Sequence, residues 1–230
     1  MVPFSFCGEE MLLLDGGGKG ASALYWPREQ ALLVADLHLE KASFFARTGQ
    51  MLPPYDSRET LERLASAVRA TGARRVFALG DNFHDSRGPD RLEPHAAGML
   101  AALTRALDWV WITGNHDPHL GAEAGGTRLE ELVLGGLALR HQALPGTQEA
   151  EVSGHFHPRL MIEARGRRIA RPCAVRGGNR LILPAFGALT GGMNAGDPAI
   201  LSALQPVEAI EALVPARGQL VRYPLWRKAA

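Results

Sequence analysis

The chain has 230 residues, 46% of them hydrophobic, with 25 Lys and Arg against 24 Asp and Glu, for a formal net charge of +1. That composition excludes wholesale disorder and a polybasic nucleic-acid coat, though not a local basic patch. Two cysteines, Cys7 and Cys173, exclude a disulfide framework. With no basic leader and no apolar run near the ~20 residues of a membrane span, the expectation is a globular cytoplasmic protein.

Apolar runs predict strands over 11–14, 31–35, 75–79, 109–113, 137–140, 151–153 and 180–183. The GGGKG at 16–20 lacks the Lys-Ser/Thr pair of a phosphate loop, since Gly20 follows Lys19, and reads as a hairpin turn. A helix is predicted over 56–71. Asp56 caps it with Glu59 three residues on, Leu61, Leu64, Ala65 and Val68 share a face, and Gly72 ends it. A second helix covers roughly 91–107. Strands alternate with helices at first and follow one another through short turns after residue 130. That order predicts an α/β fold with two sheets flanked by helices, in one domain over 1–230.

Five of the predicted strands run into metal-type residues. They lead into Asp36-Leu37-His38, Gly80-Asp81, Gly114-Asn115-His116-Asp117, His141 and Gly154-His155-Phe156-His157. Sites in open α/β sheets form at the carboxyl ends of strands, so these segments can meet in one cleft. The glycines before Asp81, Asn115 and His155 read as sharp turns. Asp36 and His38, like His155 and His157, are two apart, which in extended backbone puts both on one side. Asp36, His38, Asp81, Asn115, His141, His155 and His157 give three oxygen ligands, four imidazoles and no thiolate. That set suits Mn²⁺ or Fe²⁺ and tolerates Zn²⁺. Seven ligands exceed the needs of one ion, whereas two divalent ions about 3.5–4 Å apart could share a carboxylate. Two such ions outweigh two carboxylates in charge, so an anionic substrate is expected, and two metals can polarise a phosphoryl group and generate hydroxide near neutral pH.

The ordered series ADLH, GDNFHD, GNHD, a lone His and GHFH, from Asp36 to His157, resembles the calcineurin-like metallophosphoesterase superfamily. The stretches LLVADLHLEKASFF at 32–45, LPPYDSRETLERL at 52–64, GHFHP at 154–158 and RLILPAFGALTGGMN at 180–194 resemble the DNA ligase-associated metallophosphoesterases, the bacterial DNA damage response endonucleases. The resemblance implies a four-layer α/β/β/α sandwich of two sheets with a dinuclear metal site at the carboxyl ends of the strands. It implies Asp36, His38, Asp81 and His157 on one ion and Asp81, Asn115, His141 and His155 on the other, with Asp81 bridging. His116 would contact the phosphate and protonate or steady the leaving oxygen, and Asp117 would orient it through the other ring nitrogen. His84 stands where many members carry Asp or Asn and is read either as a support behind the metal site or as a substrate contact, with His119 and Arg159 as further substrate contacts.

The same resemblance implies Mn²⁺-dependent phosphodiester hydrolysis, endonucleolytic cleavage of single-stranded DNA in bacterial DNA repair, and functional links to a DNA ligase, a helicase and an exonuclease. The competing readings are a small-substrate phosphoesterase acting on a nucleotide or pyrophosphate, and a non-catalytic repair scaffold. The residues add one feature of their own. Arg159, Arg165, Arg167, Arg168, Arg171, Arg176 and Arg180 fall within 159–180 with only Glu163 opposing, beginning beside His157. This reads as a strip tracking a phosphate backbone, with Phe83, Phe156 and Phe186 as rings for base stacking.

Overall fold

The computed structural model describes residues 1–118, 124–164 and 166–228. Seven strands form the first sheet in chain order: β1 (Val2–Phe6), β2 (Glu9–Asp15), β3 (Ala21–Trp26), β4 (Ala31–Val34), β5 (Arg75–Leu79), β6 (Asp108–Ile112) and β7 (Thr127–Leu129). β1 to β4 pair antiparallel, and β4 to β7 pair parallel. The parallel crossovers carry α1 (Lys41–Ala46) and α2 (Asp56–Thr71) after β4, and α3 (Pro94–Ala106) after β5.

The second sheet takes β8 (Glu131–Leu134), β9 (Leu137–Arg140) and β10 (Glu151–Ser153). The chain then leaves it as a separate hairpin, β11 (Arg159–Ala164) and β12 (Arg167–Pro172). It returns as β13 (Ala174–Gly177) and β14 (Arg180–Ile182), forms α4 (Pro198–Ala203), and ends with β15 (Ala209–Ala216) and β16 (Gln219–Arg227). The order across this sheet is β16-β15-β13-β14-β10-β9-β8, with β9, β10 and β14 parallel.

Period-two alternation sorts the apolar residues into layers. Leu33, Phe77, Leu79, Val110 and Ile112 of the first sheet meet Leu139, Val152, Leu181 and Leu213 of the second in one core. Their sequence neighbours Leu32, Val34, Val76, Ala78, Trp109 and Trp111 face the other way, onto Leu61 and Leu64 of α2 and Leu100 of α3. On the far side of the second sheet, Val175, Ile182 and Ala212 pack with Ile200 of α4 and Leu160 of the hairpin. The fold is thus mixed α/β with two large packed sheets and few helices, in the expected layers. β4 and β5 are nearly continuous apolar runs because both of their faces are covered.

Several local expectations change. Asp56 is the first residue of α2 and caps nothing there. Tyr55 holds the cap position, and the Asp56 carboxylate accepts from the Ala42 amide of α1 at 3.1 Å, so it ties two helices together. Gly72 does end α2, with φ 69° and its amide on the Val68 carbonyl. α3 begins at Pro94, capped by the Glu93 carboxylate, after a separate turn at Pro89–Arg91. The 16–20 segment is the β2–β3 turn, closed by the Gly16 amide on the Gly20 carbonyl at 2.7 Å. Among the described residues, no helix is long and apolar enough to cross a membrane.

Candidate metal centre

The parallel strands of the two sheets end side by side. A bridge between Ala35 and Ala185 and the Phe186 amide on the Ala35 carbonyl join the sheets there. The loops after β4 and β5 are also laced together, by the Asp36 amide on the Gly80 carbonyl and the His38 amide on the Asp81 carbonyl. All seven expected ligands reach this seam. Asp36, His38 and His157 form one close group, and Asp81, His141 and His155 form another. Asn115 joins the second group through its Oδ1, 3.0 Å from His141 Nε2.

The backbone that delivers these side chains is not the extended one expected from the two-residue spacing. Asp36, His38, Asp81, His155 and His157 all have positive φ, between 44° and 73°. Each pair still converges, but through left-handed turns, which cost non-glycine residues energy and cluster at functional sites. The expected sharp glycine turn holds at Gly80, with φ 78°. Gly114 and Gly154 serve instead by giving room. A Cβ at Gly114 would overlap the Asp81 amide, and one at Gly154 would lie 2.7 Å from Asp36 Oδ2.

Asp36 and Asp81 are buried, at 0% and 3% exposure, yet the bases within salt-bridge reach of them among the described residues are all imidazoles. Asp81 faces both groups, with Oδ2 3.7 Å from His38 Nε2 and Oδ1 3.5 Å from His141 Nε2. His157 Nε2 lies 3.5 Å from Asp36 Oδ1 and 3.4 Å from His38 Nε2, and His155 Nδ1 lies 3.0 Å from His141 Nε2. Burial, with His157, His116 and His84 close by, pushes His38 down to about 2. Burial, with His141 beside it, also lowers His155. Near neutral pH these rings are therefore uncharged and offer lone pairs. His141 donates Nδ1–H to the Leu79 carbonyl at 3.2 Å, which turns Nε2 to the cleft. Buried carboxylates without a Lys or Arg partner, ringed by imidazoles, suit bound divalent cations.

The environment of His116 differs from expectation. Its Nδ1 bonds the His84 carbonyl at 2.9 Å, leaving Nε2 4.0 Å from Asp81 Oδ2. Its side chain is 39% exposed, so it faces the open side of the cleft. Asp117 does not touch it. That carboxylate is fully buried and accepts the amides of Asn82, Phe83 and Gly114, pinning the loop after β5 to the loop after β6. Burial raises the Asp117 carboxyl despite those donors. His84 supplies the support expected of Asp117. Its ring stacks on His116 at 5.1 Å between centroids, and its Nδ1 lies 3.3 Å from His38 Nδ1. Burial, followed by His116, lowers His84 to about 4. The run of polar residues in GDNFHD held this signal, but a carbonyl acting on a ring 32 residues away leaves no mark in spacing.

The remaining candidates divide. His119 and Arg165 lie outside the described residues. Arg159 lines the cavity beside His157. Arg180 is buried at 1% exposure and donates to the carbonyls of Leu144, Ala203 and Gln205. Arg176 donates to the Ser5 and Gly178 carbonyls and covers the Phe6 ring. The arginine run is therefore not one strip. Phe83, Phe156 and Phe186 are buried at 9% exposure or less, which removes them as stacking platforms.

The calcineurin-like phosphoesterase family matches residues 30–159. A nuclease of Pseudomonas putida, MPE, is 29% identical over 97% of this chain and 98% of its own, with a TM-score of 0.71. The Escherichia coli phosphoesterase Yfce aligns at 14% identity over 85% of this chain and 99% of its own, with a TM-score of 0.42. No curated protein matches the chain.

Proposed function

The chain belongs to the calcineurin-like phosphoesterase family, and from that premise we propose that it is a dinuclear-metal phosphodiesterase that cuts single-stranded DNA as an endonuclease. The observation that carries this reading is Asp81, a buried carboxylate whose two oxygens face two separate ligand groups. Asp36, His38, Asp81 and His157 would hold one ion, and Asp81, Asn115, His141 and His155 the other. Mn²⁺ fits a donor set of carboxylate, carboxamide and imidazole without thiolate. Bound divalent ions supply Lewis-acid polarisation of the phosphoryl group and activation of water.

The chain's own residues do the rest. His116, held by the His84 carbonyl and stacked on the His84 ring, presents Nε2 to the open cleft and carries the proton for the leaving oxygen. Asp117 keeps the two ligand-bearing loops in register through its three amide bonds. Similarity to a nuclease along nearly the whole chain supports a nucleic-acid substrate. A role in DNA repair beside a ligase, a helicase and an exonuclease follows from the motif resemblance. The test offers metal-stripped protein Mn²⁺, Zn²⁺ or Mg²⁺ with an aryl phosphodiester, an aryl monoester and circular single-stranded DNA. Cleavage of the diester and the circle with Mn²⁺ is expected. An intact circle beside an active diester would reassign the enzyme to small diesters or strand ends.

A further inference from the structure

A groove leaves the metal centre on the side of His157. Its first part is a cavity of about 310 Å³ that runs between the β11–β12 hairpin and the β2–β3 turn, with α2 along one wall. Lys19, Ser22, Glu59 and Arg63 also line a second cavity of about 610 Å³, so the groove continues along α2 as far as Ala70. Lys19, Arg63, Arg159 and Arg171 line the first part against a single carboxylate, Glu59. Among the described residues, none of these four cations has a carboxylate within salt-bridge distance.

The sequence builds this wall deliberately. The glycine-rich turn brings Lys19 against the hairpin because Gly20, at φ 117°, packs where a Cβ would overlap the Pro172 carbonyl. Arg63 is half-buried and lies over the Phe186 ring at 4.9 Å, which fixes its guanidinium at the groove wall. Unpaired cations gathered along a concave surface hold a standing positive potential, which a chain of phosphates relieves. Phe83, Phe156 and Phe186 are buried, so none of these three rings is free to stack on a base.

We propose that this groove is the track for the polynucleotide strand on one side of the linkage to be cut, with Lys19, Arg63, Arg159 and Arg171 engaging its phosphates. The inference rests on the phosphodiesterase reading above, and it assigns a role to the 16–20 turn that the phosphate-loop comparison denied it. The occupant is a single strand, as in the phosphodiesterase reading above.

The test uses the double variant Lys19→Ala with Arg171→Ala, both exposed residues, and two readouts. Fluorescence anisotropy of labelled oligothymidylate on metal-free protein reads the groove alone. Loss of two phosphate contacts predicts about tenfold weaker binding at low salt and a logarithmic salt slope shallower by about 1.4. Hydrolysis of a small aryl diester by the Mn²⁺-loaded protein stays within about twofold, since that substrate does not reach along the groove. Lys19→Arg with Arg171→Lys restores binding. If the diester is hydrolysed and the double variant binds oligothymidylate like the parent, the groove assignment is overturned while the enzyme reading stands. If the parent binds the oligonucleotide through these residues but hydrolyses no diester with any of the three metals, the enzyme reading fails and the groove stands.

Discussion

The interior between the sheets and the seam at their strand ends obey opposite rules. Between the sheets, Leu33, Phe77, Leu139 and Val152 alternate with outward-facing neighbours and bury apolar surface with no polar cost. A few residues further along the same strands, Asp36, His38, Asp81, His155 and His157 adopt left-handed backbone, and two carboxylates are buried without a Lys or Arg partner. The first region earns stability. The second region spends it on a preorganised cluster, and burial of uncompensated charge is tolerable only if something cationic binds.

The sharpest way to break this contrast is Asp81→Asn. It keeps an oxygen for the His116 amide, which bonds Asp81 Oδ1 at 3.0 Å, but removes the charge that would join two ions. Activity should fall to background and the metal count below two. The melting temperature of the metal-free protein should rise, by roughly 2–4 °C for each kcal/mol of relieved desolvation. A metal-free variant that melts lower than its parent would mean that Asp81 stabilises the fold without metal. Next comes His116→Ala, expected to lower kcat by about 10²–10⁴-fold as a missing acid while both ions stay bound. Equal loss of metal would make His116 a ligand instead.

In the apolar layer, Phe77→Ala should cost about 3–5 kcal/mol with or without metal, because its deficit is a cavity. The folded fraction should keep its kcat. A deficit that disappears on adding Mn²⁺ would show that the two regions are not separable. The smallest effect concerns the thiols. Burial raises both thiols, Cys173 to about 12, but only Cys7 is exposed, so a disulfide reagent near pH 8 should titrate one thiol in the native protein and two after denaturation. Two fast thiols in the native state would place Cys173 nearer the surface than its burial implies.

The same contrast explains what could be read from the sequence. β4, β5 and β9 are short, largely apolar runs buried on both faces, and each showed itself with nearly its true bounds. β12 is mostly polar, and β16, interrupted by Arg222 and Pro224, is mostly exposed at a sheet edge, so neither offered a buried apolar run to detect. α4 has only six residues, too few for a helical period to emerge. At the site, residue types and their order named the cluster. The left-handed backbone was hidden, since glycine would be the usual sign of it and these positions carry Asp and His. Asp117 was misplaced for a related reason. Sequence adjacency to His116 suggested a pair, while the carboxylate turns back into the fold to hold three amides.

In the two-ion reading proposed above, Asp81 would join the two ions. Crystals grown with Mn²⁺ and measured at the manganese absorption edge test it most directly. Two anomalous peaks about 3.5–4 Å apart, with one Asp81 oxygen on each side or shared between them, are predicted. A single peak, or two peaks that Asp81 does not join, would contradict it.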